Sequence, residues 1–184
     1  RENHERARGD ESIQEIVRYL GDARELAILD VGCGMGRVTE YLAGRGYRVT
    51  GLDHALSGLQ AYKGMRPGAP LVCGSIAALP FRRQSFDVVL IMGVLYELES
   101  AEAMVSVLDQ VRELVREGGR VIYVSQYPKD LWKTLLSYVP YRHRWFRRIA
   151  LSEREAKGLY LSGWVISNAE TVALFEACGL GVEA

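Results

Sequence analysis

Three glycines, Gly32, Gly34 and Gly36, stand at alternate positions directly after the apolar run Ala27–Val31. Glycine adopts positive φ freely and has no Cβ, so such a turn lets backbone N–H groups approach a bound ligand closely. Asp30 lies just ahead of the turn. Asp53 follows seventeen residues after the last glycine, at the end of a second apolar run, Tyr47–Leu52. A carboxylate at that place can accept hydrogen bonds from both hydroxyls of a ribose. The combination describes an adenosine pocket at the C-terminal edge of a parallel sheet; the alternative is a glycine-rich turn that holds no ligand.

The spacing separates two kinds of adenosine ligand. A dinucleotide turn reads G-x-G-x-x-G and sets a helix N-terminus against a pyrophosphate. Here the order is G-x-G-x-G behind an acid, and Asp30 would repel a pyrophosphate while suiting a cationic ligand. Asp30-Val31-Gly32-Cys33-Gly34-Met35-Gly36 resembles the first motif of the class I S-adenosylmethionine-dependent methyltransferases, D/E-x-G-x-G-x-G behind an apolar strand.

Further stretches carry the same resemblance, in order, through about residue 125 and again from Ser167. Gly74-Ser75-Ile76-Ala77-Ala78-Leu79-Pro80-Phe81 is similar to the third-strand motif G-D-x-x-x-L-P-F, with Ser75 in place of the Asp. In the family that Asp takes a hydrogen bond from the adenine amino group and the next residue packs on the ring. Ser75 implies a weaker acceptor than a carboxylate, and Ile76 suits the packing. Ser85–Val89 followed by Met92–Leu98 resembles the fourth-strand motif of the small-molecule members, and Arg112–Gly119 the R-x-L-K-P-G-G turn, with Glu117 where Pro is usual. The resemblance implies S-adenosyl-L-methionine as cofactor and contacts from Asp30, Gly32, Cys33, Gly34, Gly36, Asp53, His54, Ser75, Ile76 and Met92. It implies an acceptor beyond strand four, beside Tyr96 and Glu97. Glu97 would take a proton from a hydroxyl or amine and Tyr96 would orient it, whereas the bland reading makes Glu97 a solvated residue after the strand.

The elements that must position these residues alternate between apolar runs and helical patterns, as βαβ units do. Asp10 is placed to cap a first helix with Ile13, Ile16, Val17 and Leu20 on one face. Strands are expected at Leu26–Val31, Tyr47–Leu52, Pro70–Cys73, Phe86–Met92 and Arg120–Ser125. Helices are expected after Gly36, at Leu56–Lys63 and at Ser100–Glu117, the last with Val105, Leu108, Val111, Leu114 and Val115 inward. The fold class is α/β: a doubly wound, Rossmann-like, mostly parallel sheet of methyltransferase type, in a single domain over 1–184. Residues 126–166 interrupt the rhythm and are rich in aromatics; the resemblance implies a helical substrate lid there, with the aromatics lining an apolar pocket. Two capping-box patterns, Ser152–Glu155 and Ser167–Glu170, mark later helix starts. The chain stops near the end of a sixth strand, so the seventh strand usual in the family is expected outside this sequence or replaced by another edge.

Composition narrows the function classes. The 184 residues carry 23 basic and 23 acidic side chains, a formal net charge of zero, so nothing global favours nucleic acid. The local cluster Arg142–Arg148 leaves open an acidic substrate group, an anionic membrane surface or RNA. No apolar run reaches the roughly 18 residues of a membrane span, and no secretory leader pattern is present. Cys33, Cys73 and Cys178 lack paired spacing and read as free thiols, which points to the cytoplasm. Dispersed His4, His54 and His143 give no metal site. The expected partner is a small hydrophobic or aromatic methyl acceptor. Alternatives are an RNA or protein methyltransferase docking through the basic cluster, a nicotinamide-dependent oxidoreductase, and a silent protein that keeps the fold.

Overall fold

The computed structural model describes residues 11–95, 98, 100–124 and 178. Asp10, Tyr96, Glu97, the aromatic insertion, both capping boxes and the expected sixth strand lie outside the described residues. The described chain runs α1 (Glu11–Leu20), β1 (Ala27–Val31), α2 (Arg37–Ala43), β2 (Arg48–Asp53), α3 (Leu56–Met65), β3 (Leu71–Cys73), β4 (Phe86–Met92), α4 (Ala101–Leu114) and β5 (Val115–Val124).

The five strands form one sheet in the order β3-β2-β1-β4-β5, with every neighbouring pair parallel. From β1 the chain winds outward to β2 and β3, then returns to β4 on the other side of β1. The switch point therefore lies between the C-terminal ends of β1 and β4, where open α/β sheets bind ligands. Parallel strands covered on both faces must be apolar on both. Accordingly Ile28, Leu29, Val31, Val88, Val89, Leu90 and Ile91 are all buried. Ile28, Val88 and Leu90 join Ile13, Ile16 and Leu20 of α1 and Val38, Tyr41 and Leu42 of α2 in one core cluster. By strand alternation Leu29, Val31, Val89 and Ile91 face the opposite layer.

Two boundaries differ from the sequence expectation by more than two residues. α4 ends at Leu114 rather than Glu117, and β5 begins at Val115, which pairs with Phe86 before the register slips and Arg120–Val124 runs beside Val88–Met92. Two contacts hold Val115–Gly119 against β4. The Arg116 guanidinium donates to Asp87 Oδ2 at 2.8 Å, and a Cβ on Gly119 would come within 2.7 Å of the Asp87 carbonyl oxygen. Asp87 also accepts from the Ala27 N–H at 2.8 Å, and these bonds hold its carboxyl below the usual carboxylate range. Within α4 the buried positions are Met104, Val107, Leu108, Val111 and Leu114, while Val105, and Val115 at the start of β5, are only half-buried. That stripe follows the i, i+3, i+4, i+7 rule.

Close packing divides the chain into a sheet-bearing unit, up to Met92 with Gln110–Val124, and a second unit of Gly93–Asp109 with residues 125–184. In the second, Ser100 caps α4: its Oγ accepts from the Ala103 N–H at 3.2 Å. Among the described residues no helix is long and apolar enough to cross a membrane.

Candidate functional site

The C-terminal ends of β1 and β2 bring together six of the residues the sequence singled out. Gly32, Gly34 and Gly36 have φ of 76°, 53° and 76°, a backbone that side-chain-bearing residues rarely adopt. The turn's amides point mostly inward. Gly32 and Cys33 N–H groups both donate to the Leu52 carbonyl, at 2.8 and 2.9 Å, and Gly36 N–H closes onto the Cys33 carbonyl at 2.8 Å. Gly34 N–H donates to Asp53 Oδ2 at 2.7 Å. So the glycines stitch β1 to β2 and orient an acid, instead of offering a row of free donors. A pyrophosphate needs such a row; this turn does not supply it.

Asp53 is held from two sides. Ala55 N–H donates to its other oxygen, Oδ1, at 2.7 Å. Each carboxylate oxygen offers about two acceptor directions, so both keep one for a ligand. A Cβ built on Gly34 would meet nothing within 4 Å. A fixed acceptor pair beside open space above a turn fits the hydroxyls of an adenosine. Among adenosine ligands it fits those that lack a pyrophosphate.

Asp30 has a different task. It is buried, and the Thr39 hydroxyl, buried as well, donates to its Oδ2 at 2.5 Å. Gly36, the residue before α2, offers no side-chain cap; the Asp30 carboxyl accepts from the Thr39 backbone N–H as well, so the acid of β1 caps that helix from across the turn. Burial pushes its pKa up to about 6 against the opposing pull of Thr39, and the Asp53 charge adds to the rise.

Cys33 is buried against β2, where a Cβ on Gly51 would come within 2.8 Å of its Sγ. Burial, then the charges of Asp30 and Asp53, push its thiol up to about 12. Such a thiol is a wall, not a nucleophile.

The remaining predicted residues stand at the rim. His54 is exposed, with Nδ1 3.8 Å from Asp53 Oδ1. Gly74 N–H donates to the Asp53 carbonyl at 3.0 Å, which brings the segment after β3 beside β2. There Ser75 is exposed, its Oγ accepting from the Ala77 N–H at 3.1 Å, and Ile76 is half-buried. Met92 ends β4 and packs on the core cluster beneath the switch point.

Three residues escaped the sequence reading. Tyr62 of α3 is fully buried with its ring against Gly36: a Cβ there would lie 2.4 Å from Tyr62 Cδ1. The third glycine is therefore required by packing. Tyr62 donates its hydroxyl to Glu40 Oε2 at 3.1 Å, and the Arg66 Nη1 donates to both Glu40 oxygens at 3.0 Å, tying α3 to α2. Gly58 allows the first turn of α3 to approach Gly34, since its Cβ would sit 3.2 Å from the Gly34 carbonyl oxygen. Gln110 of α4 clamps the segment after β3, donating Nε2 to the Ala77 carbonyl and accepting from Leu79 N–H, both at 3.0 Å. Only the i, i+3 spacing of Leu59 and Tyr62 in α3 hinted that Tyr62 faces inward. Nothing in the sequence pointed to Gln110. Among the described residues no three of His, Cys, Asp and Glu are grouped to hold a metal ion.

Comparison with known proteins agrees with this geometry. Residues 29–123 match the family described as methyltransferase domain. The chain is 30% identical over 167 residues to the demethylmenaquinone methyltransferase of Lactococcus lactis, covering 85% of this chain and 63% of that protein. It is 29% identical over 155 residues to the ubiquinone biosynthesis O-methyltransferase of Aeromonas salmonicida, covering 83% and 62%. The chain spans less than two thirds of the length of the curated relatives it matches first. A crystal structure of an S-adenosylmethionine-dependent methyltransferase from Methanosarcina mazei superposes with a TM-score of 0.70 at 21% identity, over 89% of this chain and 82% of that one, and so shares the fold.

Proposed function

We infer the function from one premise: the chain belongs to the methyltransferase domain family. We propose that it binds S-adenosyl-L-methionine and transfers the methyl group to a small hydrophobic or aromatic molecule. The observation that carries the cofactor assignment is the Asp53 carboxylate, fixed by Gly34 and Ala55 amides beside the open space at Gly34. Its two remaining acceptor directions take the ribose hydroxyls. Ser75 and Ile76 meet the adenine, with His54 at the rim, while Asp30 sets α2 and keeps the turn in shape.

Bound S-adenosylmethionine supplies an activated methyl group on a sulfonium, so no covalent intermediate on the protein is needed. What this chain contributes is placement, exclusion of water and, for an acceptor that carries a proton, a base. Glu97 takes that proton and Tyr96 orients the acceptor. An apolar acceptor is favoured by the large exposed apolar side chains Met35 on the glycine turn and Leu56 at the start of α3. The two relatives' names, which concern quinone biosynthesis, point the same way.

Calorimetric titration with S-adenosylhomocysteine, beside nicotinamide dinucleotide, tests the cofactor. The expected result is binding of the first alone, weakened about a hundredfold in Asp53→Ala as two charge-assisted hydrogen bonds are lost. Binding of the dinucleotide alone would refute the assignment. For the chemistry, Glu97→Gln should lower kcat at least tenfold with little change in cofactor KM; an unchanged kcat rules Glu97 out as the base.

A further inference from the structure

The segment joining β3 to β4 is short of secondary structure, yet it must present the two residues that meet the adenine. Its ends are anchored locally. Gly74 N–H donates to the Asp53 carbonyl at 3.0 Å. A Cβ on Gly74 would lie 3.2 Å from the Pro80 ring, so the two lie in near contact. At the far end the Phe81 ring stands edge-on to Phe86, with centroids 5.1 Å apart and planes at 88°. Between these anchors the backbone has one turn bond of its own, Ala78 N–H to the Ser75 carbonyl at 3.2 Å, with the Ser75 hydroxyl oxygen accepting from Ala77 N–H. The remaining polar groups at the turn's exit are met from α4. Gln110 spans them as a strand would, donating Nε2 to the Ala77 carbonyl and accepting from Leu79 N–H, each at 3.0 Å.

A primary amide is the side chain suited to this. It carries a donor group and an acceptor group side by side in one plane, so it can meet a carbonyl and an N–H at once. A carboxylate would satisfy only Leu79 and would face the Ala77 carbonyl with a second acceptor. We propose that Gln110 is a positioning residue for adenine recognition: it sets the height and tilt of the Ser75–Leu79 turn, and through it the affinity for the adenosyl group and the preference for adenine over other purines. The inference rests on the reading of Ser75 and Ile76 as the adenine edge.

The test uses the full chain and two probes: S-adenosylhomocysteine, and its inosine counterpart, S-inosylhomocysteine, in which the purine amino group is replaced by a carbonyl. In Gln110→Met, which keeps the length of the side chain and loses both hydrogen bonds, S-adenosylhomocysteine should bind about tenfold more weakly, because binding must then order a turn that those two bonds otherwise hold in place. The S-adenosylmethionine KM should rise in step while kcat stays within about twofold. Binding of S-inosylhomocysteine should change little, so the preference between the two probes collapses. Gln110→Glu, a second variant should the first fold poorly, should lose part of the same preference. Arg83→Ala removes an exposed ion pair with Glu113, 3.0 Å long, between the same segment and the same helix, and should leave the preference unchanged.

A folded Gln110→Met with the wild-type preference overturns the proposal, as does Arg83→Ala erasing the preference equally. Failure of the wild-type chain to bind S-adenosylhomocysteine would instead overturn the cofactor reading and this inference together, which distinguishes the two failures.

Discussion

The turn after β1 and the turn after β3 flank the C-terminal end of β2, yet they are built on opposite principles. The first is held by its own backbone. Four of its amides are committed to β2 or within the turn, its third glycine lies under the Tyr62 ring, and Gly58 closes against it. The second is largely exposed, turns once on Ser75, and borrows its remaining partners from Gln110. Close packing leaves the first turn one shape, so substitutions there register mainly in stability. The second turn's shape depends on two hydrogen bonds at a half-buried site, so changes there register mainly in ligand preference.

Gly36→Ala should break the comparison most visibly. At φ 76° a Cβ is strained, and it would lie 2.4 Å from a buried aromatic ring. Strain and overpacking together should cost about 4 kcal/mol, seen as a large fall in the urea midpoint or failure to fold. A Gly36→Ala variant that melts like wild type would show that the turn is not locked.

A smaller effect of the same kind should come from Asp30. Its folded pKa, about 6, exceeds the ordinary 3.8, so the folded chain holds the proton more tightly than the unfolded chain. Stability contributed by the protonated acid is therefore present below about pH 4 and lost as pH rises toward 6. Asp30→Asn keeps an acceptor for Thr39 without the buried charge. Its stability relative to wild type should rise between pH 4 and 7, by up to about 3 kcal/mol. Urea melts across that range would read it, and a flat difference would show that Asp30 ionises without cost.

The least disruptive change, Ser75→Asp, should act on the second turn alone. A carboxylate can still accept from Ala77 N–H and is a stronger acceptor for an amino group. S-adenosylhomocysteine should bind about threefold more tightly with no shift in melting temperature. A large stability change instead would place this turn in the same class as the first.

Much of the fold was legible because its signals are local. Apolar runs of strand length alternating with helical stripes predicted all five strands, four of them to within one residue, and β4 at Phe86–Met92 without error. The fifth strand was read five residues short at its start because Val115 joins β4 through Arg116–Asp87 and the missing Cβ of Gly119, contacts between segments about 30 residues apart. The site was legible in the same proportion. Gly32, Gly34, Gly36 and Asp53 could be named from type and spacing, and they do converge.

What those residues do was not legible. By itself the sequence determined the strand-turn-helix order, the positions needing glycine and the acid that follows them, since each depends on neighbours along the chain. Only the tertiary structure decided that the glycine amides bind β2 and Asp53, that Gly36 is reserved for Tyr62, that Asp30 caps a helix, and that Gln110 holds the adjoining turn. Those partners lie 9 to 33 residues apart, and a hydrogen bond or a contact radius is satisfied by whichever group folding brings within about 3 Å.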